Sequence, residues 1–213
     1  MASYAIYRPK LAKHEGGYAN DSRDNGGETY KGVARKIHPT WVGWSRVDMH
    51  KAKYSRKVPW NTKFVDPILD KMVDDFFLVK FWNKYAIGDI KNQSIAEILA
   101  DFFINGVTEN RIKEIQAFVG TTPDGDWYEF SSEAVNKYAK TKDKAQKLFD
   151  FIKKTREKHY RLQNDFSWAG TEWLRRLNSF TLDFSTGNKV LVGILLLTGV
   201  AYWQRDTIKQ WFS

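Results

Sequence analysis

Apolar side chains recur along this chain mostly at three- and four-residue steps, the spacing of one helix face. A short stretch around Ile6 and Leu11 opens the pattern. Pro9 is placed near the first turn of a helix that ends at Glu15, because Gly16-Gly17 extends a helix poorly. From Asn20 to Gly32 the chain reads NDSRDNGGETYKG, dense in turn formers, which predicts a loop or a small hairpin. The helical period returns from about Pro67 to Tyr85, carried by Ile68, Met72, Phe76, Val79 and Trp82. Ser94-Ile-Ala-Glu97 fits a capping box, after which Ile95, Ile98, Leu99, Phe102 and Phe103 share a face until Asn105-Gly106 stops the helix. Another helix is expected from Thr108 to Val119, closed by Gly120. A long basic helix follows from about Ser132 to Arg161, with Tyr138, Ala145, Leu148, Phe149 and Ile152 inward. A last one, Thr171 to Phe180, turns Trp173, Leu174, Leu177 and Phe180 to the core.

These patterns predict a mainly α-helical protein in three regions: residues 3–91, an entirely helical region 92–182, and an apolar tail 183–213. The tail contains VLVGILLLTGVAYW, Val190 to Trp203, without a charge. As a helix that run spans about 21 Å, short of the roughly 30 Å hydrocarbon slab unless the preceding residues and a snorkelling Lys189 extend it. Tyr202, Trp203, Trp211 and Phe212 suit an interfacial belt. Two readings stand at this stage: membrane association through residues 184–212, or a buried terminal helix.

Composition narrows the function classes. There is no cysteine among the 213 residues, which excludes disulfide scaffolds, thiolate zinc sites and cysteine nucleophiles. Lysine and arginine number 34 against 25 acidic residues, a formal charge of +9 that favours an anionic partner. Ten basic and four acidic residues lie between Glu133 and Arg161, either as a solvated face or as a surface for an anionic wall or membrane. No recognised nucleic-acid motif accompanies the charge, and no nucleic-acid partner is expected. The amino terminus shows no charged-then-apolar run of a cleavable signal.

The four histidines have no metal-ligand spacing, and Gly26-Gly27 lacks the Gly-Lys-Ser/Thr of a phosphate loop, so neither metal nor cofactor is expected. Glu15 remains. At a helix C-terminus it faces the negative end of the macrodipole, and partial burial would raise its pKa further. A carboxylic acid kept protonated near neutral pH is what a glycosidase needs to protonate a leaving oxygen, with a second carboxylate to serve water or the cationic transition state. Asp21 and Asp24 follow in the loop, and the Thr29 hydroxyl is placed to hold a water. Alone, a Glu before Gly-Gly is more often a plain helix-end acid.

The wider pattern is more specific. His14-Glu-Gly-Gly-Tyr18, Asn20-Asp21, Asp24-Asn-Gly-Gly-Glu-Thr29 and Lys31-Gly-Val33 together resemble the signature of glycoside hydrolase family 108, lysozyme-like N-acetylmuramidases of phage endolysins and of bacterial proteins labelled secretion activators. Phe81-Trp82, Asp101-Phe-Phe-Ile-Asn105-Gly106 and Trp168-Ala-Gly-Thr-Glu-Trp-Leu-Arg-Arg-Leu-Asn178 resemble the predicted peptidoglycan domain that accompanies the family. The resemblance implies a lysozyme-like helical catalytic region with a helical companion region, acting on the β-1,4 bond between N-acetylmuramic acid and N-acetylglucosamine of peptidoglycan. It implies Glu15 as catalytic acid, with Asp24 and Thr29 as the assisting carboxylate and water-holding hydroxyl. Tyr18 and Trp41 are candidates to stack on sugar faces, and Asn105 to bond an acetamido group. A non-catalytic peptidoglycan-binding or secretion-accessory protein is the alternative. The implied place of action is the cell wall, with the tail as a membrane-associating element.

Overall fold

The computed structural model describes residues 1–21 and 27–184. Its described elements are mainly helical: α1 (Tyr4–His14), β1 (Tyr18–Asn20), β2 (Glu28–Tyr30), β3 (Val33–Ala34), α2 (Trp44–Lys51), α3 (Pro67–Phe77), α4 (Gln93–Ile104), α5 (Glu109–Val119), α6 (Glu129–Tyr138), α7 (Lys142–Arg161) and α8 (Phe166–Asn178). The apolar tail from residue 185 onward, on which the membrane-anchor and buried-helix readings fall, lies outside the described residues. Among the described residues no helix is long and apolar enough to cross a membrane.

Helix α1 begins at Tyr4, five residues before Pro9, rather than near the proline. Tyr7 and Leu11 are its buried positions, and Tyr4 and Tyr7 pack on Trp82 at centroid distances of 5.6 and 5.8 Å. That aromatic contact offsets the backbone hydrogen bond Pro9 cannot make, and it leaves Ile6 exposed. The turn-rich stretch forms a three-stranded antiparallel sheet in the order β1-β2-β3, pairing Tyr18 with Tyr30 and Tyr30 with Val33. Lys31 and Gly32, with φ of 43° and 79°, make the two-residue turn between β2 and β3.

Asp66 caps α3 by accepting from the amides of Ile68 and Leu69 at 3.1 and 3.0 Å, with Pro67 at the first helical position. The helix expected from Pro67 to Tyr85 passes into a π-helical turn, Leu78–Asn83, which brings Trp82 inward. At α4 the cap is Asn92, whose side chain accepts from the Ile95 amide at 3.0 Å, not Ser94. Ser94 and Glu97 are instead buried; Glu97 takes bonds from Lys10 and Gln93, so no capping box forms. Every residue from Gln93 to Phe103 is buried, which makes α4 the central helix. The long basic helix divides into α6 and α7, because Thr141 starts a new helix by accepting from the Lys144 amide. One cluster of buried side chains runs from Tyr7 through Phe102 and Leu148 to Phe180, so side chains of regions 3–91 and 92–182 meet in it.

Candidate active site

Helix α1 stops because Glu15 turns to extended backbone, φ −85° and ψ 124°, while its amide still donates to the Leu11 carbonyl at 3.1 Å. The two glycines that follow admit a neighbouring segment. The Gly17 amide donates to Asn61 Oδ1 at 2.6 Å, and a Cβ on Gly17 would meet the Thr62 carbonyl oxygen at 2.4 Å. The closeness lets Tyr18 N–H donate to Thr62 at 2.7 Å and start β1. On the other side, a Cβ on Gly32 would lie 2.1 Å from Glu15 Oε2. The glycine of the β2–β3 turn is thus the floor on which the carboxyl rests.

Glu15 lines a groove of about 690 Å³ between α1 and α3. Arg8 and Ala12 line it from α1, Asp70, Asp74 and Phe77 from α3, and Lys31 and Lys63 from the loops. The other groove carboxylates are engaged: Asp70 with Lys31, Asp74 with Arg8, and Asp75 with Lys71. The Glu15 side chain is 13% exposed. Its Oε1 accepts from Arg176 Nη2 at 3.1 Å. Arg176 in turn grips Asp101, with Nη2 at 2.6 Å and Nε at 3.1 Å from Oδ1. Asp101 is fully buried at the far end of α4, and also takes the guanidinium of Arg156 from α7 and the Tyr7 hydroxyl at 3.0 Å.

Electrostatics follow from this packing. Burial pushes the Glu15 pKa up; Arg176 pulls it down, Asp101 pushes it up again, and the net direction is upward. Burial works against the charge of Asp101 as well, but Arg156 and Arg176 outweigh it and hold that carboxyl well below the usual range. The site therefore keeps one carboxyl ionised and biases the other towards its acid form. Glu28, the next acid in the sequence motif, lies elsewhere. Burial opposes its charge, yet Lys51, Arg35 and the Tyr18 hydroxyl hold it ionised in a structural cluster.

Residues 9–106 match the family model of glycosyl hydrolase 108. That stretch, just under half of the 213 residues, is similar to glycosyl hydrolase family 108. The solved structure of Brucella abortus SagA superposes with a TM-score of 0.57 at 23% identity, covering 82% of this chain and 89% of that one, which shows a shared fold. No curated protein matches the chain.

Within the stretch that matches the family, Glu15 lines the groove and the other described candidates from the sequence do not. Thr29 sits on β2 with its hydroxyl donating to the Gly27 carbonyl at 3.3 Å. Tyr18 is buried against Phe64, its hydroxyl on Glu28 at 2.9 Å. Trp41 packs edge-on against Trp44 and Phe76, at 5.2 and 6.0 Å. Asn105 donates to the Asp101 carbonyl at 2.6 Å and so closes its own helix. Asp24 lies outside the described residues. Sequence reasoning missed Asp101 and Arg176. One signal was available: Asp101 is the lone charge in the apolar run Ile98 to Ile104, and a buried acid demands a cation.

Proposed function

We propose that this chain is a peptidoglycan hydrolase of the muramidase type, cleaving the β-1,4 bond between N-acetylmuramic acid and N-acetylglucosamine with Glu15 as general acid. One observation carries the reading: a carboxyl withdrawn from water, raised in pKa by burial, lies on the wall of a groove of about 690 Å³, within the ordinary size of ligand clefts. Burial favours the acid form of such a group, which can give its proton to the departing glycosidic oxygen. The oxocarbenium-like charge that develops needs a carboxylate or a polarised water on the other side of the sugar. Asp24 is proposed for the first role from the motif that links it to Glu15; Thr29, whose hydroxyl donates to the Gly27 carbonyl off the groove wall, would have to leave that bond to hold the water.

The experiment is digestion of purified walls, with released fragments identified by mass spectrometry. Fragments ending in reducing N-acetylmuramic acid are expected, and Glu15→Gln should yield none while remaining folded. Binding to walls without new reducing ends in the wild type would replace this reading with the wall-binding accessory one. The tail is proposed to associate with membranes through residues 184–212. The full chain should then float with vesicles, while a chain ending at residue 183 should not.

A further inference from the structure

We propose that Arg176, itself held by Asp101, is a positioning residue that fixes the Glu15 carboxyl against the groove and sets its proton affinity, making helix α8 part of the catalytic machinery. The inference rests on the assignment of Glu15 above, and it concerns a residue outside the stretch 9–106 that matches the family.

The argument is geometric. A glutamate side chain at a helix end has three rotatable bonds, and general acid catalysis requires its oxygen within hydrogen-bond reach of the glycosidic oxygen. Two contacts remove that freedom here. Gly32 backs Oε2 closely enough to exclude even a methyl group, and Arg176 takes Oε1 at 3.1 Å. Arg176 can do this because its guanidinium is fixed elsewhere: Nε lies 3.1 Å from both Asp101 oxygens, and Nη2 lies 2.6 Å from Oδ1. The fork shape of arginine permits both engagements at once, which a lysine cannot reproduce. Asp101 is anchored by Arg156, whose guanidinium is stacked among Phe102, Tyr160 and Phe180 at 5.9, 5.2 and 5.6 Å. The chain of contacts thus runs from α7 and α4 through α8 to the end of α1.

The same arrangement balances charge at Glu15. The charges that act on it are Arg176 of α8 and Asp101 of α4; Tyr7 and His14 of α1 and Arg156 of α7 surround that same pair, and Arg8, Lys31, Lys63, Asp70 and Asp74 line the groove side. Arg8 and Lys31 are already paired with Asp74 and Asp70. Arg176 is the cation in direct contact, but most of its hydrogen bonding is spent on Asp101. Glu15 is held in place by a cation whose charge is partly offset by a buried aspartate shared with Arg156, so orientation is gained without forcing the carboxyl to ionise.

The test uses the full chain and the variants Arg176→Met, Arg176→Lys and Asp101→Asn, each checked for a cooperative thermal transition. The Glu15 carboxyl is followed by ¹³C NMR titration without substrate, its signal identified by its absence in Glu15→Gln. Removing the cation should move the titration to higher pH in Arg176→Met. Removing the anion should move it to lower pH in Asp101→Asn, because Arg176 then acts on Glu15 unopposed. The alkaline limb of kcat on purified walls should shift in the same two directions. In Arg176→Met kcat should fall about tenfold or more with KM changed by less than about twofold, the pattern of lost orientation. Arg176→Lys keeps the charge and the titration but should lose much of kcat; wild-type kcat in that variant overturns the positioning role even if the other two fail to fold. An unmoved Glu15 titration in folded Arg176→Met, or shifts of the same sign in both charge-removing variants, overturns the proton-affinity role. The titration needs no hydrolysis, so an inactive wild-type enzyme would count against the muramidase reading and not against this one.

Discussion

A methyl group added at position 32 probes the site most directly. The backbone of Gly32 has φ +79°, a region that L-residues enter at a cost of about 1–2 kcal/mol. Its Cβ would also lie 2.1 Å from Glu15 Oε2, 2.8 Å from the carboxyl carbon and 3.1 Å from Phe77 Cζ. Ordinary contact begins near 3.4 Å, so the carboxyl must retreat by at least about 1 Å. Displacement of a catalytic group by about 1 Å costs on the order of 100-fold in rate. Gly32→Ala is therefore expected to lower wall-clearing activity by about 100-fold and the melting temperature by about 2–8 °C, since each kcal/mol is worth about 2–4 °C in a chain of this size. The control is Gly120→Ala at the end of α5. That glycine has the same φ of +79° but nothing within 4 Å of its added carbon. It should lose stability by a similar amount and keep its activity. Turbidity loss of purified walls and thermal melts of both variants decide the matter. If Gly32→Ala clears walls at the wild-type rate, the carboxyl does not work from where it lies against Gly32.

Three further outcomes are expected. Arg156→Met removes one of two guanidiniums from a fully buried aspartate and should cost about 3–5 kcal/mol in denaturant unfolding; a loss below about 1 kcal/mol would show that Arg176 alone suffices for Asp101. Asp66 is held below the usual carboxylate range, first by Arg46, against the opposing effect of burial, and then by the Leu69 amide and His50. A depressed carboxylate contributes stability that is full above its unfolded pKa and is lost as pH falls through the folded value, so unfolding free energy should decline below about pH 4. Asp66→Ala should flatten that decline and remove about 1 kcal/mol of cap stability at pH 7. Binding of the +9 chain to anionic walls should weaken steadily with added salt, as measured by pelleting; affinity independent of salt would exclude a long-range electrostatic share.

How far the sequence reached differs from residue to residue. The place of Glu15 at the end of α1 was legible because a helix end, a Gly-Gly stop and a turn-rich hairpin are all local signals. The glycines at 16, 17 and 32 were legible as stops and turns, but not as close approaches to Asn61, Thr62 and Glu15 itself. Period alone located α4 and α5 to within a residue or two. It merged α6 with α7, since the break at Thr141 is a cap and not a change of hydrophobicity. It also gave Tyr18 a ligand-facing role, because an aromatic beside the Glu-Gly-Gly motif reads alike whether it faces a sugar or, as here, Phe64 and Glu28.

By itself the sequence determined what its local physics can encode: helices where apolar residues repeat, stops at glycine, an acid at the end of the first helix, and a basic surplus without cysteine. Tertiary structure alone decided which charges meet. Arg156 and Arg176 lie 55 and 75 residues from Asp101 along the chain, and Arg176 161 from Glu15, so no window of sequence relates the acids to their cations. They come together because α4 is buried on every side, α7 packs against it and α8 against α7, and a carboxylate carried into that interior is stable only where cations are carried in with it.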